Sequence, residues 1–177
     1  MSCSGSQRAH DEKERTRGTM ERERAIALVA GLPSKVWSII APLSEEELRW
    51  RPKEGEWSAK EVVCHLRDAA EIYGQRIRRI ATEEQPFLPS FNQEDYARER
   101  RYQDDIAQTA MQRYTEFHAA TVALLRALTA DGWSREGVHE EDGPMTLQAM
   151  VERVVAHETA HLHQLRRLKS HAPPDES

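Results

Sequence analysis

The chain has 177 residues, of which 31% are charged and 38% hydrophobic, with a formal net charge of −5. That length suits one soluble domain with a core that needs no disulfide or metal staple, and the negative balance argues against non-specific nucleic-acid binding, which requires a basic face. No apolar run approaches the roughly 20 residues that span a bilayer, and the first 18 residues lack the apolar core of a signal peptide, so the expectation is a cytoplasmic protein without membrane association.

Residues 1–19 are charged and carry no hydrophobic period, which predicts a disordered leader. A helical pattern starts near Met20 and runs through "MERERAIALVAGLPSKVWSIIAPL". Gly31, Leu32 and Pro33 should kink or break this first helix, and Pro42 should end it. "SEEELRWRPKEGEWS" follows as a polar connector with two tryptophans. Ser58 with Glu61 three residues later reads as a capping box opening a second helix to about Ala81.

Residues 82–105 contain two prolines and little periodicity, which predicts a long crossover with one short helix. A third helix takes up "IAQTAMQRYTEFHAATVALLRAL" and stops before Asp131 and Gly132. "WSREGVHEEDGPM" reads as a loop, and Thr146 or the preceding Gly-Pro opens a fourth helix through Leu168. Residues 170–177 read as a flexible tail, which leaves 20–169 as the domain. With no strand-like alternation and no repeat, the class is all-α with four principal helices. Short connections flanking one long one predict a bundle whose middle pair run parallel.

Cys3 and Cys64 form no disulfide framework, which fits a reducing compartment, and their spacing is not that of a zinc knuckle. The arginine-rich stretches "RIRRI" and "RERR" read as solvated helix faces. The histidines are more informative. In "VVAHETAHLHQLRRL", His157, Glu158 and His161 match the H-E-x-x-H pattern of zinc proteases. With Val154 as zero, His157 falls at about −60°, Glu158 at about +40° and His161 at about −20°, while His163 falls at about 180° and faces water. A lone histidine on that stripe would read as a core residue. Two histidines and a carboxylate need an explanation, because unpaired polar groups in a core cost several kcal/mol. Histidines four apart on a helix can share one ion.

A third ligand is required of such a site. On the second helix, with Leu66 as zero, His65 lies at about −100°, on the flank of the apolar stripe. That angle leaves it between a ligand and a partly exposed histidine. Asp68 falls at about −160°, a solvated position. Tyr73, Trp57 and Arg101 are candidate pocket residues, Trp57 and Trp133 also fit helix-end packing, and His139 in the last loop reads as a surface histidine. The protease reading meets an obstacle downstream. The metzincin extension needs Gly and His where this chain has Gln164 and Arg167. Only 16 residues follow His161, and Glu176 among them is a poor ligand for the other zincin form.

Two segments resemble one family. "WRPKEGEWSAKEVVCHLRDAAEIY" looks like the second-helix signature of the DinB/YfiT-like superfamily, with Pro and Gly-x-Trp-Ser leading into His-Leu and an acidic residue. "GWSREGVHEEDGPMTLQAMVERVVAHETAHLHQLRRL" resembles that family's closing segment, with Gly-x-His, Thr-Leu and His-x-x-x-His before Gln-Leu. The resemblance runs over residues 24–169, with both motifs in the family's order. It implies a four-helix bundle of up-down-down-up topology with a long crossover between helices 2 and 3, often a homodimer. It also implies one divalent metal ion held by three histidines, here His65, His157 and His161. Zinc or nickel is the first choice, with iron(II) or copper also suited to an all-imidazole site.

Members of that family are mostly described as metal-dependent hydrolases, and relatives are transferases or isomerases that use low-molecular-weight thiols. The resemblance therefore implies a hydrolase or thiol S-transferase acting on a small molecule, possession of the metal being better supported than the reaction. A non-catalytic metal-binding stress-response protein is the alternative, and a zincin protease the remote one. Glu158 is the candidate base in the catalytic reading, or a hydrogen-bond acceptor for a ligand ring.

Overall fold

The computed structural model describes residues 4–173. Among them, four long helices carry the fold: α1 (Ser4–Ile40), α3 (Ala59–Thr82), α5 (Ala107–Ala127) and α7 (Leu147–His171). Shorter pieces fill the connections: α2 (Glu45–Arg49), β1 (Phe87–Leu88), α4 (Gln93–Glu99), a 3₁₀ turn (Tyr102–Asp104), α6 (Ala130–Trp133), β2 (Glu136–His139) and β3 (Gly143–Thr146). No helix among the described residues is long and apolar enough to cross a membrane.

The direction of each helix follows from two apolar clusters. One joins Val36 and Ile40 of α1, Val62 and Leu66 of α3, Ala110 and Tyr114 of α5, and Leu162 and Leu165 of α7. The other joins Val29, then Ile77 and Ile80, then Val122 and Leu125, then Met150 and Val154. Along α3 and α5 the chain passes from the first cluster to the second, and along α1 and α7 it passes the other way. The order is therefore up-down-down-up, with the parallel pair α3 and α5 joined by the crossover. α3 packs against α5 and α7, and so does α1, which sets α5 and α7 on a diagonal of the bundle.

Local signals account for the helix starts. Ser58 caps α3 by accepting from the Glu61 N–H, and the Glu61 carboxylate accepts in return from the Ser58 N–H, a full capping box;. Ser44 and Glu47 form a second capping box at α2, within the stretch read as a polar connector. Thr146 caps α7 through the Ala149 N–H at 3.1 Å. Burial alone would raise the Glu61 carboxyl, but Arg51, the Ser58 N–H and Gln103 together hold it below its usual range. Gln103 also donates to Ser58 Oγ at 2.8 Å, so the crossover is tied to the first turn of α3, one and a half turns before His65;.

Four expectations are corrected. α1 begins at Ser4, so residues 4–19 of the expected leader are helical backbone. Their Glu, Lys, Arg and Gln content lacks a core-facing stripe but favours helix. Residues 1–3 of that leader and 174–177 of the tail lie outside the described residues. α1 also continues through Pro33. Leu32 and Pro33 are both buried, and their packing offsets the hydrogen bond that proline removes;. α7 extends to His171 rather than Leu168.

The fourth correction is the small sheet formed where a loop and no strands were expected. β2 pairs antiparallel with β3 and parallel with β1 from the crossover. Strands of two and four residues leave almost no periodic signal, and the pairing partner of β1 lies some 50 residues away in sequence;. Gly137 admits the close approach: a Cβ there would lie 3.0 Å from Ile80 and 3.1 Å from both Leu88 and the Pro86 carbonyl. The connection after His139 closes on Gly143, at φ 74°, a left-handed conformation that suits glycine;.

Candidate metal centre

The antiparallel packing of α3 and α7 brings together residues 92 positions apart. His65, in the second turn of α3, faces His157 and His161 at mid-length of α7, and ligand atoms from the three rings all lie within 4.8 Å of one another. His65 Nε2 and His157 Nε2 are 3.1 Å apart. Ring centroids are separated by 5.1 Å for His65 and His157, 4.7 Å for His65 and His161, and 4.6 Å for His157 and His161. The angle that left His65 undecided is resolved by the neighbour: its flank of α3 is the flank that α7 covers, and His65 is fully buried.

Burial holds the imidazoles uncharged, His65 being fully buried and His157 and His161 half-buried. Burial, and then the proximity of His161 and His157, pushes His65 down to about 2. Burial and His161 push His157 down to about 4. Burial also lowers His161. Neutral imidazole is the form that offers a lone pair to a metal. His161 Nδ1 lies 2.8 Å from Gln164 Oε1, an acceptor one turn along α7, so its proton sits on Nδ1 and Nε2 is free to coordinate;. Nδ1 of His65 and of His157 are buried with no hydrogen-bond partner. Three converged neutral imidazoles fit a divalent cation of the zinc or nickel type.

Aromatic rings wall the cluster. Trp57 lies 5.0 Å from His65 on one side and Phe91 stacks at 6.4 Å on another, while Tyr73 lies 5.5 Å from His157. Trp57 and Tyr73 are thus neighbours of the site, whereas Arg101 is exposed and paired with Asp104 at 2.6 Å. The site opens beside His161 into a cleft of about 830 Å³, whose walls include Trp50, Trp57, Glu94, Gln164 and Arg167. That volume is within the range of small-molecule sites. His163 points outward as expected, and Trp133 is buried at a helix end.

Glu158 is fully buried but outside the cluster. Its carboxylate accepts from the Tyr114 hydroxyl, and His118 Nε2 lies 3.1 Å from it, both partners on α5. It therefore bridges the bundle diagonal; of the two roles read for it, base and acceptor for a ligand ring, the second is taken at His161 by Gln164. Neither Tyr114 nor His118 had drawn notice in the sequence, although their i, i+4 spacing on one face was a readable signal.

Two other assignments change. Asp68 is 1% exposed and not solvated: it accepts from the Tyr102 hydroxyl at 2.6 Å, from Arg67 at 2.8 Å and from Arg100 at 2.8 Å. The helical angle placed it away from the core stripe, but the crossover folds back over that side. His139 is 4% exposed, not a surface residue, because the alternation of β2 puts it with Gly137 on the buried face of the strand. Its Nδ1 lies 2.9 Å from Asp142. Burial, with smaller contributions from Arg76 and Arg153, lowers its pKa. Cys64 is buried behind the site, and its thiol is pushed up to about 12, which disqualifies it as a nucleophile;.

Known proteins share this architecture. A model of the DinB superfamily matches residues 21–165. A protein of Oceanobacillus iheyensis named "Putative metal-dependent hydrolase" is 26% identical over 132 residues, covering 73% of this chain and 74% of its own. One of the same description from Geobacillus kaustophilus is 28% identical over 153 residues, covering 84% and 86%. Among solved structures, YfiT of Bacillus subtilis superposes with a TM-score of 0.79 at 21% identity, over 84% of this chain and 86% of that one, and is described as having an unusual four-helix bundle topology. A DinB-like protein of the same organism gives a TM-score of 0.60 at 16% identity, over 86% and 94%.

Proposed function

This chain belongs to the DinB superfamily, and we propose that it is a metal-dependent hydrolase of a small molecule, with one zinc or nickel ion held by His65, His157 and His161. The observation that carries this reading is the convergence of three desolvated, neutral imidazoles at the mouth of a cleft. A structural zinc is usually closed by four protein ligands, whereas three leave a position for substrate or water. The names of the relatives point to the same class of chemistry.

A divalent ion in this place supplies a Lewis acid that activates water or polarises a carbonyl. The remaining work falls to the chain. Gln164 fixes the tautomer of His161. Trp57 and Phe91 pack against His65 and Tyr73 against His157, and the partial desolvation strengthens electrostatic interactions at those rings;. Glu158 acts as a brace: with its oxygens engaged by Tyr114 and His118, it sets the rotation of α7 and thereby the direction of the flanking His157.

Metal analysis of the purified protein tests the reading, followed by assays on a panel of small esters and amides with metal present and chelated. One ion per chain and chelator-sensitive turnover are expected, and His65→Ala and His161→Ala should each lose the ion. Full metal content in both variants would remove the site. Metal without turnover would favour the non-catalytic binding protein, and turnover only with an added low-molecular-weight thiol would favour the S-transferase.

A further inference from the structure

The described residues include two buried cationic side chains of the Lys and Arg type, and they differ in one respect. Lys60, 2% exposed, is paired with Glu45 of α2. Arg76, 5% exposed, makes no ion pair. One of its terminal nitrogens donates to the Pro89 carbonyl, while Nε and the other terminal nitrogen have no protein acceptor. Burial lowers its pKa and Arg153 adds to this, while Tyr73, Glu141 and Asp142 offset it only in part. Asp142 is already engaged by Arg153 at 2.7 Å and by His139 at 2.9 Å. A guanidinium with two donors reachable from solvent and no carboxylate bonded to it is open to an anion from outside the protein;.

Its position indicates what supplies it. The guanidinium carbon lies 5.4 Å from the centre of the Tyr73 ring and 5.7 Å from that of Phe91. Those are the same two rings that contact His157 and His65, at 5.5 Å and 6.4 Å. Arg76 therefore shares its two aromatic neighbours with two members of the histidine triad, one helical turn along α3 from Tyr73;.

We propose that Arg76 binds a carboxylate of the substrate, so that the small molecule acted on at the triad is a carboxylic acid. The inference deepens the hydrolase reading and rests on it for the place of reaction. A carboxylate presents a planar pair of oxygens that fits the free donor fork of arginine. With Glu141 and Asp142 already acting on Arg76 beside Arg153, a phosphate dianion would add twice the negative charge that a carboxylate adds.

Calorimetric titration with succinate, with uncharged succinamide as the control, tests the assignment on metal-free and zinc-loaded full-length protein. Succinate should bind in both forms and succinamide in neither. Arg76→Met should weaken succinate binding at least tenfold in both forms while keeping the metal content of the parent. Its melting temperature should equal or exceed that of the parent, because a buried unpaired charge is removed. If that variant does not fold, Arg76→Lys, which keeps the charge and loses the fork, should weaken succinate several-fold. Succinate binding equal to the parent's in either folded variant overturns the proposal, as does inorganic phosphate binding more tightly than succinate. Arg76-dependent succinate binding by a protein that takes up no metal would sink the hydrolase reading and leave the carboxylate site standing.

Discussion

Glu158 and Tyr114 meet in the interior of the bundle, the hydroxyl on α5 donating to the carboxylate on α7 across the diagonal that separates those helices. The residue that makes the sequence look like a protease is thereby tied to the opposite corner of the bundle. Tyr114 is fully buried, and burial together with the adjacent Glu158 raises its pKa, so the phenol stays protonated and keeps donating.

Removing one end of that bridge exposes its role. Glu158→Ala strands the Tyr114 hydroxyl and His118 without their acceptor, each at a cost of about 1–3 kcal/mol. Chemical denaturation should show a loss of roughly 2–5 kcal/mol on that basis, with unchanged slope. Tyr114→Phe, which removes only the hydroxyl, should cost less. An Ala variant as stable as the parent would refute the brace.

Among the described residues, Gln164 is the one side chain outside the triad that holds a triad ring by a hydrogen bond, at 2.8 Å from His161 Nδ1. Replacement by Leu frees the ring to rotate and to change tautomer. Metal affinity, measured by competition with a chromophoric chelator, should fall by about 10–100-fold. Far-UV circular dichroism should not change, since Gln164 is not part of the apolar core.

Asp68 gathers Tyr102, Arg67 and Arg100, which belong to the crossover and to α3 itself. Tyr102 in turn packs against Trp57 at 6.4 Å, and Trp57 against His65. Asp68→Ala should cost about 3–5 kcal/mol, because it leaves buried donors and a charge without their partner. The crossover should become the first site of limited proteolysis. Asp68→Asn, which keeps an acceptor for Tyr102, should retain part of the stability.

The triad also sets an acid limit for the metal-free protein. His65 and His157 titrate at about 2 and about 4 in the folded chain, against the ordinary value of 6.5. Between pH 6.5 and 4 the unfolded chain takes up protons at these two positions that the folded chain refuses. Stability must therefore decline as the pH falls through that window, by up to about 1.4 kcal/mol per pH unit for each histidine. His65→Ala should flatten the profile of denaturation midpoint against pH. A midpoint independent of pH over this range in the parent would contradict the burial of the triad.

Much of the scaffold follows from local rules. The capping box of α3, the Thr146 cap of α7 and the 3.6-residue period that runs through α3, α5 and α7 depend on contacts within a few residues of the chain;. The pairing of His157 with His161 is likewise a property of one helix. His65 as the third member follows from the residues only through the family resemblance, since its angle on α3 says nothing about which helix lies opposite.

Tertiary structure decides the rest, for the same physical reason in each case: a partner distant in sequence arrives and changes the surroundings. The crossover buries Asp68, which the helical angle had placed in water. β1 and β3 pair with β2 and turn a loop into a sheet whose strands are too short to carry a pattern, with His139 on the buried face of β2. α5 claims the carboxylate of Glu158. Arg76 acquires two aromatic neighbours and no acid. Helical periodicity could place "HETAH" on a buried face, but only the packing of α3 and α5 against α1 and α7 determined that its histidines meet His65 while its glutamate turns towards Tyr114.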